Sequence, residues 1–564
     1  MLGARTASSQ RGQVAGEFMV HHPPARAATS TVRRSAPAGI GHDGRVSANP
    51  GTETVDDTAR AVAETPAETP AEATAEEVPA PAEESSHRTL PRSEAFRRFI
   101  ADGWGPRPAE PDAPDAVAAF AARRREQLSV LFPGDVLVVP AGPLVRRSND
   151  CDYRYRPHSA FAHLTGLGTD EEADAVLVLH PREQGHEAVL YLRPQAGRET
   201  EEFFADARYG ELWVGPRPTL GALTTRTGLT TRDVAGLVEE VTAAGSGTGT
   251  VRLVPDADPV VTARLRPEGS DGAVASTDAE LVTALSELRL VKDAWEVEQL
   301  RSAVAASIRG FETVVRELPR AVGHDRGERV VEAAFDGNAR IEGNGVGYET
   351  ISAAGNHACT LHWIRNDGAV RPGDLLLLDA GVEVDSLYTA DITRTLPVDG
   401  RYTDAQRRVY QAVLDAADAA FAVARPGVRF REVHEAAMVV VADRLSAWGM
   451  LPVDAATSLQ PEGQYHRRWM PHGTSHHLGL DVHDCQQARR EMYLDAELRP
   501  GMVFTIEPGI YIKAEDELAP PELRGIGVRI EDDVLVTEDG VENLSAALPR
   551  TPEALERWMA GVRG

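Results

Sequence analysis

The sequence predicts an α+β protein made of a tail and two domains. Three observations point there. Residues 1–90 differ in composition from the rest, residues 93–284 alternate short apolar strands with helical stretches, and from 288 to 564 strands recur around further helices. At 564 residues the chain is too long for one ordinary core and long enough to bury a large one in each of two domains.

The tail opens rich in Arg and Ser, with Glu17 as its one acid as far as Gly41, then turns acidic and Pro-broken in AETPAETPAEATAEE. Such a segment cannot bury enough apolar surface to offset the ordering of its chain, so it is expected to be disordered. An organellar transit peptide would share the basic opening, but Pro23, Pro24 and weak amphipathicity argue against one; a mis-assigned start codon is a plainer account.

In the first domain, VLVVPAG from Val136, AVLVLHP from Ala175 and AVLYLRP from Ala188 read as strands, and no nucleotide fingerprint appears among them. One long helical segment, Asp278 to Leu318, is expected to join this domain to the second. There a helix starts at Thr403 with Gln406 three residues on, the spacing of a capping box, and stops at Pro426 and Gly427. Another runs from about Phe430 to Ala447. The Ala, Val and Leu of both recur at helical spacing, which marks core packing.

Composition excludes several classes of function. The 59 Lys and Arg against 86 Asp and Glu leave a net charge of −27, unsuited to nucleic acid or an anionic membrane. Cys151, Cys359 and Cys485 form no CxxC pair and are too few to staple a fold, which suits a reducing, cytoplasmic setting. No apolar run approaches the roughly 20 residues of a membrane span, and no signal-peptide core is visible.

Chemistry concentrates in the second domain, where polar residues interrupt apolar strands. LLLLDAG ends in Asp379, and after a turn near Asp385 and Ser386 the strand DITRTLPV opens with Asp391, so a hairpin is expected to set the two carboxylates facing each other. Unpaired in an apolar setting, they would repel unless a cation lay between them. HGTSHHLGLDVHD offers His472, His476 and His483, and VFTIEPG offers Glu507 at a strand end. In GVRIEDD, Arg529 and Glu531 lie two apart and are expected to share one strand face, where the guanidinium can hold the carboxylate. Asp379, Asp391, His476, Glu507 and Glu531 together give four carboxylates, which balance two divalent ions, and one imidazole; that oxygen-rich set suits Mn²⁺ or Co²⁺ better than a thiolate zinc site. The four-residue spacing of His472 and His476 is not a zincin helix, since no HExxH glutamate is present and Pro471, Gly473 and Gly479 disfavour helix. Singly, each of these residues reads as a turn former, a loop histidine or a surface ion pair.

In order and company they do not. DAG with DITRT, then HGxSHxLGLDVHD, TIEPGxY and GVRIED resembles the aminopeptidase P and prolidase family, from roughly Arg146 to Asn543. The resemblance implies a creatinase-like N-terminal α/β domain followed by a pita-bread metallopeptidase domain. It implies two metal ions, most often Mn²⁺ with Co²⁺ or Zn²⁺ as alternatives, held by Asp379, Asp391, His476, Glu507 and Glu531, with Asp391 and Glu531 bridging. By the same resemblance His362 of TLHW, His472 and His483 bind substrate and handle protons, and Tyr511 and Arg529 support the site. RRSNDCDYRYRPHSAF would bring Asp150 to the peptide's amino end, and ELWVG would set Trp213 at the pocket. A homo-oligomer, dimer or tetramer, in which one subunit's first domain reaches another's pocket is implied too. Two departures stand out: the Asp379–Asp391 spacing is one residue longer than expected in well-known bacterial members, and Cys485 to Arg499 is longer, which leaves peptide-length preference open.

The implied chemistry is hydrolysis by a water shared between two ions about 3.5–4 Å apart, with Glu507 as proton shuttle and His483 beside the oxyanion. A proline after the scissile bond has no N–H, so it must be gripped by shape, and His362 with the HLGL segment is the expected grip. The nearest alternative is a prolidase restricted to Xaa-Pro dipeptides; Ser475 before His476 favours aminopeptidase P, where prolidases more often carry Gly. A methionine aminopeptidase would not need the first domain. A metal-free, peptide-binding pita-bread module would have lost ligands, and this chain keeps all five.

Overall fold

The computed structural model describes residues 90–564 apart from 108, 170, 247–248 and 267–271, so the tail up to residue 89 lies outside the described residues. In the first domain, β1 (Val136–Pro140), β2 (Val176–Pro181), β3 (His186–Leu192), β4 (Thr230–Asp233) and β5 (Val251–Leu253) form one sheet in the order β4-β3-β2-β1-β5. The inner pairs are antiparallel and the outer pairs, β3–β4 and β1–β5, parallel. Because side chains alternate along a strand, Leu137 and Val139 enter one core with Leu128 of α1 (Ala118–Leu131) and Leu281 and Leu285 of α2 (Gly272–Leu288). Val136 and Val138 enter a second core with Leu237 and Val241 on the opposite face. Both faces are covered, which is why these strands read as unbroken apolar runs.

The single long helix expected from Asp278 to Leu318 is instead two. α2 stops at Leu288, and α3 (Ala294–Val322) starts behind Asp293, whose carboxylate accepts from the amides of Trp295 and Glu296 while the Glu296 side chain accepts from the Asp293 amide at 2.8 Å. This reciprocal cap is stronger than one more helical turn through the break, because it satisfies donors that would otherwise be orphaned. The break also turns Arg289 and Lys292 inward, where they donate to buried Asp484 at 2.9 and 3.1 Å.

In the second domain α3 packs on α4 (Gly327–Glu342). β6 (Ile351–Ala354), β7 (Leu375–Ala380) and β8 (Ile392–Pro397) form an antiparallel sheet in the order β8-β7-β6. The expected pair of helices follows as α5 (Asp404–Val423), with the Thr403–Gln406 capping box, and α6 (Phe430–Ala447), packed against each other. β9 (Val503–Ile506), β12 (Asp532–Val536) and β13 (Val541–Asn543) make a second sheet in the order β9-β12-β13; β10 (Gly509–Ile512) and β11 (Ile526–Arg529) make a ribbon. One apolar cluster runs through all of these elements. Among the described residues no helix is long and apolar enough to cross a membrane, and the three cysteines are free.

A buried ion pair ties β8 to the start of β12. Arg394 and Asp532 are both wholly buried and 2.6 Å apart, and the guanidinium also donates to the carbonyls of Glu531, Leu548 and Pro549 at 2.6–2.9 Å. Removing one member of such a pair leaves an uncompensated buried charge. Arg394→Met should therefore lower the unfolding free energy by about 3–5 kcal/mol in urea titrations; a loss below about 1 kcal/mol would show that the pair is not a structural anchor.

Candidate active site

The expected residues come together around one cavity of about 540 Å³ at the ends of β7, β8, β9 and β11. Asp379, Asp391, His472, His476, His483, Glu507, Arg529, Glu531 and His362 all line it. Strand ends suit this purpose: the ladders fix the backbone, and the side chains project where pairing stops.

Asp379 and Asp391 do not face each other across the ladder. Asp379 pairs with Thr393, and Asp391 sits two residues ahead, diagonally on the same face. The chain between them is not a simple hairpin, because Val382–Glu383 leaves to pair with Gly345–Val346. Gly381 permits the crossing: a Cβ there would lie 1.7 Å from the carbonyl oxygen of Ala390, so only glycine fits after the Asp379–Ala380 pair. The two carboxylates meet at the hydroxyl of Tyr348, 2.7 Å from Asp379 and 2.5 Å from Asp391.

Nor does Arg529 hold Glu531. β11 ends at Arg529 and β12 begins at Asp532, so Glu531 lies on the crossing between sheets rather than one strand face away. Arg529 donates to Asp379, to the Thr393 hydroxyl at 3.1 Å and to the Tyr511 hydroxyl at 3.1 Å. Glu531 accepts instead from Thr393, at 2.6 Å. Tyr511 in turn lies 2.7 Å from His472 Nε2.

Electrostatically the cluster is acid in excess. Burial, then Asp391 and Glu507, hold Glu531 well above the usual carboxylate range. Burial also pushes Glu507 up to about 7, opposed by His476 and reinforced by Asp391. Asp379 is raised by burial, against the pull of Arg529. Asp533, which sequence reading missed, is raised by burial and by Asp391, whose amide donates to it at 3.2 Å. Burial would depress His476, yet its contacts with Asp391 at 3.3 Å and Glu507 at 3.5 Å raise it to about 9. Burial and Arg529 hold His472 neutral, near 3. Fully ionised, as they would be around bound cations, Asp379, Asp391, Glu507, Glu531 and Asp533 less the Arg529 guanidinium would carry a net four negative charges, which balances two divalent ions. Donor atoms of Asp391, His476 and Glu531 already lie within 4.8 Å of one another. The donor set therefore fits a pair of hard cations.

The HLGL segment does not line the cavity. His477, Leu478 and Leu480 are core residues, with His477 stacked on Phe430 at 4.7 Å; the apolar wall comes from Leu361, Ile364 and Val482. A run of apolar residues after a ligand was the wrong signal, because in that segment it packs inward. Asp150, on an exposed turn between Arg146–Ser148 and Cys151–Asp152, and Trp213, half-exposed on Glu211–Val214, do not reach this cavity within one chain. Tyr348, Thr393 and Asp533 had no spacing signal of their own, since each is recruited by register or by a crossing chain.

Comparison with known proteins agrees with this geometry. Residues 298–538 match metallopeptidase family M24, and residues 120–249 match the aminopeptidase P N-terminal domain. The chain is 48% identical over 474 residues to Xaa-Pro aminopeptidase 1 of Streptomyces coelicolor, covering 84% of this chain and 93% of that protein. It is 49% identical over 465 residues to Xaa-Pro aminopeptidase 2 of the same organism, covering 82% and 95%. The Pseudomonas aeruginosa aminopeptidase PepP structure superposes with a TM-score of 0.68 at 32% identity, over 80% of this chain and 99% of that one. With a creatinase-like first domain and a pita-bread second domain, the chain belongs to metallopeptidase family M24, in its aminopeptidase P branch.

Proposed function

We propose that the chain is an Xaa-Pro aminopeptidase whose catalytic unit, residues 288–564, holds two divalent ions and releases the N-terminal residue from peptides with proline second. The observation that carries this reading is the convergence of Asp379, Asp391, His476, Glu507 and Glu531 on one cavity of about 540 Å³, with donor atoms of Asp391, His476 and Glu531 within 4.8 Å of one another. Asp379, Asp391, His476, Glu507 and Glu531 would hold the ions, with Mn²⁺ the first choice and Co²⁺ or Zn²⁺ as alternatives. When bound, the ions supply an activated water and a Lewis acid for the scissile carbonyl.

The chain's own groups do the rest. Glu507, on the cavity wall 3.5 Å from His476, takes a proton at its carboxylate and returns it to the leaving proline nitrogen. His483 lines the cavity beside His476 and is held neutral by burial, so it can donate one N–H to developing negative charge on the carbonyl oxygen. His472 is fixed at Nε2 by the Tyr511 hydroxyl and at Nδ1 by the Gly473 carbonyl, which holds its neutral ring on the cavity wall to meet the substrate. The wall of Leu361, Ile364 and Val482, with His362, grips the pyrrolidine ring by shape. Residues 93–284 act as the domain that approaches the peptide's amino end, and free cysteines with no pairing suit a cytoplasmic protein.

Given Mn²⁺, the protein should cleave Xaa-Pro-Yaa tripeptides and longer peptides faster than Xaa-Pro dipeptides in a competitive assay; a preference for dipeptides would make it a prolidase. Asp391→Asn keeps the side chain's size and removes one charge, so metal content should fall and turnover should drop at least about a hundredfold while the protein stays folded. Near-normal activity in that variant, or wild type that binds no divalent metal, would sink the two-metal reading.

The active form is proposed to be a homo-oligomer in which Asp150 and Trp213 of one subunit reach the pocket of another. Leu212, Trp213 and Val214 are 49%, 45% and 61% exposed on one short helix, an apolar cluster that a second subunit would cover. Light scattering on the active enzyme should give a dimer or tetramer, and full turnover from a monomer would contradict the arrangement.

A further inference from the structure

Glu328, in the first turn of α4, is wholly buried and makes no contact with the carboxylate cluster, yet it gathers an unusual number of donors. One oxygen accepts from the Ala354 amide at 2.8 Å and lies 2.7 Å from His357 Nδ1. The other accepts from the Trp363 indole at 2.9 Å and the Gly368 amide at 2.6 Å. Its own amide donates to the Gly368 carbonyl at 3.0 Å. A buried carboxylate costs several kcal/mol unless its lone pairs are satisfied, so the four donors and the acid hold one another in place.

Those donors have a common address. Ala354 ends β6, Gly368 lies at the far end of the loop that follows, and His357 and Trp363 sit between them, stacked at 4.0 Å. Glu328 thus closes the loop at both ends and in its middle. A Cβ at Gly368 would lie 2.7 Å from the carboxylate, so the close approach requires glycine. The same loop carries Leu361, His362 and Ile364, which form one wall of the catalytic cavity. Ile364 is 50% exposed and has little packing of its own to hold it there.

We infer that Glu328 is a positioning residue for proline recognition: by fixing the 354–368 loop from behind, it sets the shape of the wall that receives the substrate's second residue. The inference rests on the proposed Xaa-Pro activity. It separates binding of the ring from the chemistry of the ions, because Glu328 touches neither the acid cluster nor His476.

The test uses the full chain loaded with Mn²⁺. Glu328→Gln keeps the shape but turns one acceptor into a donor, which then opposes either the Trp363 and Gly368 donors or the Ala354 and His357 ones. The KM for an Xaa-Pro-Yaa peptide should rise about tenfold, with kcat within about twofold and metal content unchanged, and the preference for Xaa-Pro-Yaa over Xaa-Ala-Yaa should shrink. Unchanged KM, or a fall in kcat alone, would overturn the inference, since a merely structural role lowers stability or the active fraction without moving KM. If Glu328→Gln does not fold, Trp363→Phe removes one donor and keeps the ring; its KM should rise about threefold, and an unmoved KM would again overturn the inference. Wild type that cleaves no Xaa-Pro peptide would instead defeat the proposed function, and this inference with it.

Discussion

Charge excess in a buried place governs this molecule. Asp379, Asp391, Glu507, Glu531 and Asp533 lie together largely out of water, and among the described residues the cations within reach are Arg529 and His476. Without further positive charge, burial and mutual repulsion favour the protonated acids and raise Glu531, Asp533 and Glu507. A protein with no use for the cluster would gain by replacing it with apolar side chains. Retained, it makes sense as a cradle for cations that arrive from solution, and their binding energy then becomes part of the energy of the folded state.

Such a cradle has to be stiff, because like charges push their own supports apart. The surrounding construction answers that need. Arg394 and Asp532 lock β8 to β12 directly behind Glu531. Arg289 and Lys292 hold Asp484, the residue after His483. Thr393 spans Arg529 and Glu531, and Tyr348 spans Asp379 and Asp391. Each anchor is a buried ion pair or hydrogen bond at or just behind the cavity wall. Buried polar contacts of this kind restrict a site to one geometry.

How much of this the sequence disclosed depended on whether the cause was local. The Thr403–Gln406 cap and the run from Phe430 to Ala447 depend on neighbours a turn away and were legible to the residue. The strands at Val136, Val176 and Ala188 were legible because burial on both faces writes an apolar run. The convergence of Asp379, Asp391, His476, Glu507 and Glu531 was legible through motif order. The partner of Arg529 was not, because a change of sheet between Arg529 and Asp532 carries Glu531 away and brings Asp379 in. Asp293 broke a helix that periodicity alone would have continued, and Asp533, Tyr348 and Thr393 entered the site only through tertiary register.

The two tasks of the cavity draw on different parts of the fold, and physics favours that division. Ions need ligands fixed to a fraction of an ångström, and the proposed ligands Asp379, Asp391 and Glu507 stand on strands or immediately beyond them, where ladder hydrogen bonds limit movement. A proline ring needs only a wall of the right shape, and in the proposed reading most of that wall, Leu361, His362 and Ile364, comes from a loop between β6 and β7, which can vary without disturbing either ladder. A loop alone would be too soft to discriminate one ring from another side chain of similar size. Tying it at three points to a single buried carboxylate on α4 gives it the rigidity of an element while leaving its sequence free of the strand pattern. Specificity and metal binding can then change separately, each through its own support.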